Sequence, residues 1–96
     1  MTESLDEQSF DLAVRILNYA IEFVNTGSYA SLRFTDVLGS YLNILLQVND
    51  IRKKEFYTSV KKLIDDRDLL APAEEKTIFL DQLQSMFVHK WREDMG

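Results

Sequence analysis

The segment SFDLAVRILNYAIEFVN, Ser9 to Asn25, decides the fold class. After Ser9, its polar residues recur at intervals of four, three, four and three positions, which places them on one narrow stripe of an α-helix. The remaining residues are apolar and cover roughly 220° of the helical wheel, about twice what an outer bundle helix needs. The segment therefore predicts a helix that is central in its bundle or that packs against a second partner. The polar stripe consists of Asp11, Arg15, Asn18, Glu22 and Asn25.

A second helix of the same kind is predicted over residues 30–48. Gly27 stands where a C-cap glycine belongs after the first helix, and Gly39 lies inside the second helix on its polar stripe. A glycine there either costs about 1 kcal/mol for no gain or allows another backbone to come close. The apolar arc is again wide, about 200° by the same count. It contains Val37, Leu38, Tyr41, Leu42, Ile44, Leu45, Leu46 and Val48.

Two helices with narrower apolar seams complete the chain, over residues 51–66 and 72–92. Pro72 suits a first helical position, whereas the basic run 52–54 opposes the dipole of the third helix. The connections are short, so we predict an all-α, single-domain bundle of four helices over residues 1–96 with up-and-down topology. Ser9 is the predicted first cap, and residues 1–8 are predicted to be a flexible tail.

The composition excludes several classes of function. The 96 residues include no cysteine, so neither a disulfide nor a thiolate metal site can form. The formal charge of −5 opposes binding to nucleic acid or to an anionic membrane surface. No window approaches eighteen uninterrupted apolar residues, and the acidic start does not resemble a secretory signal. We therefore expect an acidic, soluble, cytoplasmic protein without nucleic-acid or membrane partners.

No catalytic, cofactor or metal site is predicted. His89 is the single histidine, and Met86 stands three positions before it, where a Glu-x-x-His metal motif needs glutamate. There is no Gly-x-Ser-x-Gly motif to activate a serine. These absences favour a non-enzymatic role.

The excess apolar width of the first two helices leads to the main functional hypothesis. Two narrow seams cannot cover both arcs, and pairing two copies about a twofold axis would bury the remainder. We therefore expect a self-associating protein–protein interaction or regulatory module that forms a homodimer. Regulation and adaptor work for another protein are both open as the role of that dimer. The predicted interface residues are Leu12, Ile16, Tyr19, Phe23, Tyr41, Ile44 and Val48.

The alternative hypothesis is small-molecule or anion binding. The corner 28–35 carries four polar residues that could hold an anion at a helix N-terminus: Ser28, Ser31, Arg33 and Thr35. The simpler interpretation is that the hydroxyl residues compete to cap the second helix. A second candidate is the face shared by Lys54 and Lys61 on the third helix, although such charges are more often solvated.

Overall fold

The first helix, α1, spans Leu5–Phe23 in a computed structural model that describes residues 4–26, 29–49 and 51–95. The Ser4 side chain caps it by accepting a hydrogen bond from the Glu7 backbone N–H at 3.1 Å. The helix therefore begins before the predicted cap Ser9, which is buried inside it. Residues 5–8, predicted to be a flexible tail, are helical, and residues 1–3 lie outside the described part of the chain.

The other helices are α2 (Ala30–Leu45), α3 (Lys54–Asp66) and α4 (Ala73–Met95). No strand is present in the described residues. α2 ends three residues before the predicted bound, because Gln47 and Val48 donate to carbonyls three positions back and close tighter turns. α3 begins at Lys54 because Ile51 is buried in the core ahead of the helix.

The pairing of α1 with α2 is antiparallel. Near their connection, the Phe34 ring stacks on Tyr19 and on Phe23, with centroid separations of 5.3 and 5.8 Å. Towards the start of α1, the Tyr41 hydroxyl donates to the Ser9 carbonyl at 3.4 Å. Later residues of α1 therefore lie opposite earlier residues of α2.

Aromatic rings join α1, α3 and α4. The Phe87 ring lies 5.4 Å from Phe10 and 4.9 Å, edge to face, from Phe56. Further along, Gln84 Nε2 lies 3.4 Å from Asn18 Oδ1, so α4 runs antiparallel to α1. With α3 packed on α2, the chain forms an all-α, four-helix, up-and-down bundle.

Gly39 allows α2 and α3 to approach closely. A Cβ atom at this position would lie 3.2 Å from Cγ2 of Ile64, tighter than an ordinary van der Waals contact. Nearer the connection between α1 and α2, the Arg67 guanidinium at the end of α3 pairs with Asp36 of α2. Of the two alternatives for Gly39, a close approach is present, but the approaching atom belongs to a side chain of α3 and not to a backbone.

The core lies along the bundle axis and includes residues from every helix. Its buried apolar side chains are Phe10, Ala13, Leu17, Ala20, Leu38, Leu42, Leu45, Ile51, Tyr57, Val60, Ile64, Leu80, Leu83 and Phe87.

A buried carboxylate ties three segments together at one end of the bundle. Asp6 Oδ1 accepts from the Arg52 backbone N–H at 3.1 Å, and Asp6 Oδ2 lies 2.7 Å from Lys53 Nζ. Lys53 Nζ also lies 3.3 Å from Asp94 Oδ2 and 5.5 Å from the Phe10 ring centroid. The start of α1, the connection between α2 and α3, and the end of α4 therefore meet here.

The ion pair keeps both of its members charged. Burial raises the pKa of Asp6, but the hydrogen bonds from Lys53 and from the Arg52 backbone outweigh burial and lower it below 3.8. Burial lowers the pKa of Lys53, but Asp6 and then Asp94 outweigh it and raise the pKa above 10.5. The ion pair therefore stabilises the fold between pH 3.8 and pH 10.5. Its contribution is lost as the pH falls through the lowered pKa of Asp6 or rises through the raised pKa of Lys53.

We expect Asp6→Asn to lower the free energy of unfolding at pH 7 by about 2–4 kcal/mol, because it leaves Lys53 mostly buried with a weaker partner. Since the folded-state pKa of Asp6 is depressed, wild-type stability should fall as pH drops below 3.8. The variant should show a smaller fall. Urea unfolding followed by circular dichroism across this pH range measures both effects.

Asp11→Asn, at an exposed position of the same helix, is the matched control and should change stability by less than about 0.5 kcal/mol. Equal effects of the two changes would contradict this role of Asp6.

Tyr57 is fully buried, and its hydroxyl has no hydrogen-bond partner in the described residues. Burial, helped by the nearby Asp6 carboxylate, raises its pKa above the ordinary value of 10.0.

We expect Tyr57→Phe to keep the free energy of unfolding at pH 7 or to raise it by up to about 1 kcal/mol, because no hydrogen bond is lost. Above pH 10.0 the unfolded wild type releases this proton first, so the variant should lose less stability there. Denaturant titrations at neutral and alkaline pH, with Tyr29→Phe as the control at a position that is 74% exposed, test this. A loss above about 1 kcal/mol at neutral pH would show that the hydroxyl is bonded.

Candidate interaction site

Apolar side chains line the outer side of the α1–α2 pair, and we call this surface the α1–α2 face. Its members recur at seven-residue spacing, so each row keeps nearly the same direction along its helix. The two helices are in contact at both ends of this surface. The Phe34 ring stacks on Tyr19 and Phe23 at one end, and Tyr41 hydrogen-bonds to Ser9 at the other. The α1–α2 face consists of Leu5, Leu12, Ile16, Tyr19, Phe23, Phe34, Val37, Tyr41, Ile44 and Val48.

The outer rows of this face are open to solvent. Leu12 and Tyr19 of α1 are 44% and 48% exposed, and Val37 and Ile44 of α2 are 51% and 58% exposed. Isolated exposed apolar residues are normal on protein surfaces, whereas a contiguous set on two packed helices is a candidate contact surface.

The seven predicted interface residues divide into two groups in the structure. Leu12, Tyr19 and Ile44 are exposed. The other four are half-buried along the seam, where they support the outer rows; they are Ile16, Phe23, Tyr41 and Val48.

Three members of the face were missing from the predicted interface. Leu5 stands seven residues before Leu12, and Val37 stands seven before Ile44. Phe34 stands seven before Tyr41. The same seven-residue spacing could have identified all three.

Polar residues border the face on both sides. In the antiparallel pair, Glu22 and Arg33 lie at the same end, near the connection between α1 and α2. Arg15 lies about halfway along α1. The rows between these borders contain no charged residue. The border of α1 carries Gln8, Arg15 and Glu22, and that of α2 carries Arg33, Ser40 and Gln47, all exposed.

The structure does not bring the predicted anion-binding residues into one site. Arg33 is exposed near the start of α2, whereas Lys54 begins α3 at the opposite end of the bundle. Lys61 Nζ lies 2.6 Å from Asp65 Oδ2, and it lines a shallow groove together with the Asp36 carboxylate. The lysine face is therefore partly neutralised by acidic side chains.

The hydroxyl residues at the start of α2 do not form an anion cradle with Arg33. Ser31 and Thr35 are buried on the inner side, and Thr35 Oγ1 donates to the Ser31 carbonyl at 2.8 Å. Arg33 points to the other, exposed side of the helix. The two other residues named in the sequence argument for this corner, Gly27 and Ser28, lie outside the described part of the chain.

His89 is exposed on α4, with Nε2 3.2 Å from Glu93 Oε1. Over residues 4–26, 29–49 and 51–95, no group of three or more histidine and carboxylate side chains could hold a metal ion. Within the same residues, no helix combines the length and the apolar character needed to cross a membrane.

Comparisons of the chain with protein-family profiles, with curated proteins and with solved structures find no match. The function is therefore inferred from the surfaces of the chain itself.

Proposed function

We propose that the protein is a self-associating protein–protein interaction module that forms a homodimer through the α1–α2 face. The observation that supports this proposal is the alignment of four exposed apolar side chains in rows without an intervening charge: Leu12, Tyr19, Val37 and Ile44. Burying apolar area gains about 25 cal/mol per Å². A second copy supplies a matching apolar surface, because a twofold interface uses the same patch on both partners.

The size of the face suits a dimer contact. α1 has 19 residues and is therefore about 28 Å long, and packed helices lie about 9 Å apart. The two helices together present about 500 Å² in projection. The accessible area of such a corrugated surface is larger, so it approaches the roughly 800 Å² that each partner gives to a standard interface.

The border charges favour one of two twofold arrangements. An axis parallel to the helices places α1 of one copy over α2 of the other, which brings Glu22 beside the partner's Arg33 twice. An axis across the helices places α1 over α1 and brings Arg15 towards the partner's Arg15, where like charges repel. We therefore propose the first arrangement, with two Glu22–Arg33 pairs across the interface.

In the homodimer, the outer surfaces of α3 and α4 stay exposed on both copies. These surfaces suit a module that binds another protein. The lack of cysteine fits a reducing compartment, and we propose the cytoplasm.

We expect the wild type to sediment as a dimer of two 11.2 kDa chains at about 10 µM, and Ile44→Asp to sediment as a monomer. A carboxylate buried in the apolar contact should weaken association by at least about 100-fold. Ile78→Asp is the matched control: Ile78 is 68% exposed on α4, away from the face, so this variant should remain dimeric. Circular dichroism should show that both variants are folded.

The charge pairs have a separate readout. Glu22→Arg and Arg33→Glu should each weaken the dimer a few-fold, and the double reversal should restore it. A monomeric wild type, or a monomer produced by Ile78→Asp but not by Ile44→Asp, would overturn the proposal.

A further inference from the structure

The connection from α3 to α4 contains a closed turn over residues 68–71, which we call the leucine turn. The Asp68 carbonyl accepts a hydrogen bond from the Ala71 N–H at 3.3 Å, and Asp68 Oδ1 accepts one from the Leu70 N–H at 2.9 Å. Leu69 and Leu70 are therefore the two central residues of the turn. Turns usually hold glycine, proline, asparagine, aspartate or serine, so the local geometry does not require leucine at these positions.

Both leucine side chains of the turn are open to solvent. Leu70 is 93% exposed, more than any other large apolar residue in the described part of the chain, and Leu69 is 54% exposed. A side chain as exposed as Leu70 adds little apolar burial to the fold. Single exposed apolar residues are common on protein surfaces. Here two adjacent ones sit on a backbone that its own hydrogen bonds already order, which lowers the entropy cost of binding a partner.

Carboxylates flank the leucine turn on both sides in sequence. Arg67 precedes the turn, but its side chain is 10% exposed and its guanidinium pairs with Asp36. Lys76 is half-buried and is the one cation among residues 68–76. The sequence around the two leucines is therefore predominantly acidic. Four exposed carboxylates near the turn in sequence form no ion pair within the described residues: Asp66, Asp68, Glu74 and Glu75.

We propose that the leucine turn docks into a different protein, which holds Leu69 and Leu70 in an apolar pocket bordered by lysine or arginine side chains. Burial of the two leucines supplies affinity, and the flanking carboxylates attract a basic border and repel an acidic one. The same carboxylates oppose contact with anionic membranes and nucleic acids, so the partner is a protein. The turn shares no residue with the α1–α2 face, so docking does not depend on self-association.

The test begins with a photoreactive leucine analogue placed at position 70 of the full chain in its source cells. Irradiation should link this position to one other protein. The linked segment of that protein, located by mass spectrometry, should line an apolar pocket bordered by lysine or arginine. The same analogue at position 88 is the matched control and should not link to that protein. Val88 is 41% exposed and lies about 22 Å along α4 from Ala73.

Binding of the purified linked protein then separates the apolar and the charged parts of the contact. Leu70→Ser should weaken binding at least about ten-fold, since it removes an apolar side chain from the pocket. Asp66→Lys should weaken binding a few-fold at low salt and less at about 0.5 M salt. Glu55→Lys is the charge control and should bind as the wild type does, because Glu55 is exposed at the other end of α3.

All three substitutions are at exposed positions, so the variants should keep the circular dichroism spectrum of the wild type. Absence of a linked protein, linkage to lipid or to a second copy of this chain, a linked segment without basic neighbours, or equal binding by the wild type and Leu70→Ser would overturn the proposal.

Discussion

Helices α1 and α2 carry more apolar surface than α3 and α4 can cover, and this constraint governs the arrangement of the molecule. Leu17 and Leu38 are fully buried, whereas Tyr19 and Val37, on the outer sides of the same helices, are about half exposed. The inner parts of both arcs hold the bundle together. The outer parts remain as the α1–α2 face, which is the surface that a second copy would bury.

The Asp6 cluster fixes where the helices begin and end. The carboxylate binds the Arg52 backbone and the Lys53 amine, so both residues lie before α3 and Lys54 is its first residue. This explains the basic run 52–54, which opposes the dipole of the predicted third helix. Arg52 and Lys53, two of its three residues, bind the Asp6 carboxylate of α1. The same contact makes residues 5–8 helical, since it orders the first turn of α1 against the rest of the bundle.

Local patterns predicted most of the fold, and contacts distant in sequence account for the errors. The period of α1 and the seam of α4 around Leu83 are visible in the sequence because each depends on neighbours within a few turns. The choice of cap for α1 was wrong because Ser4 and Ser9 are equally good caps locally, and Asp6 decides between them through a partner 47 residues away. The exposed rows could be read from spacing. The exposure of the leucine turn could not, since two adjacent leucines are typical of a core and only the folded chain shows them open to solvent.

The most direct test of the central claim, that two copies join through the α1–α2 face, uses the absence of cysteine from the chain. Glu22→Cys and Arg33→Cys chains are mixed in equal amounts and gently oxidised, with Arg15→Cys oxidised alone. A disulfide needs Cα atoms within about 7 Å, so only close residues link. The proposed arrangement predicts mixed E22C–R33C dimers and little linkage of R15C. Efficient linkage of R15C to itself without mixed dimers, or no linkage at all, would contradict it.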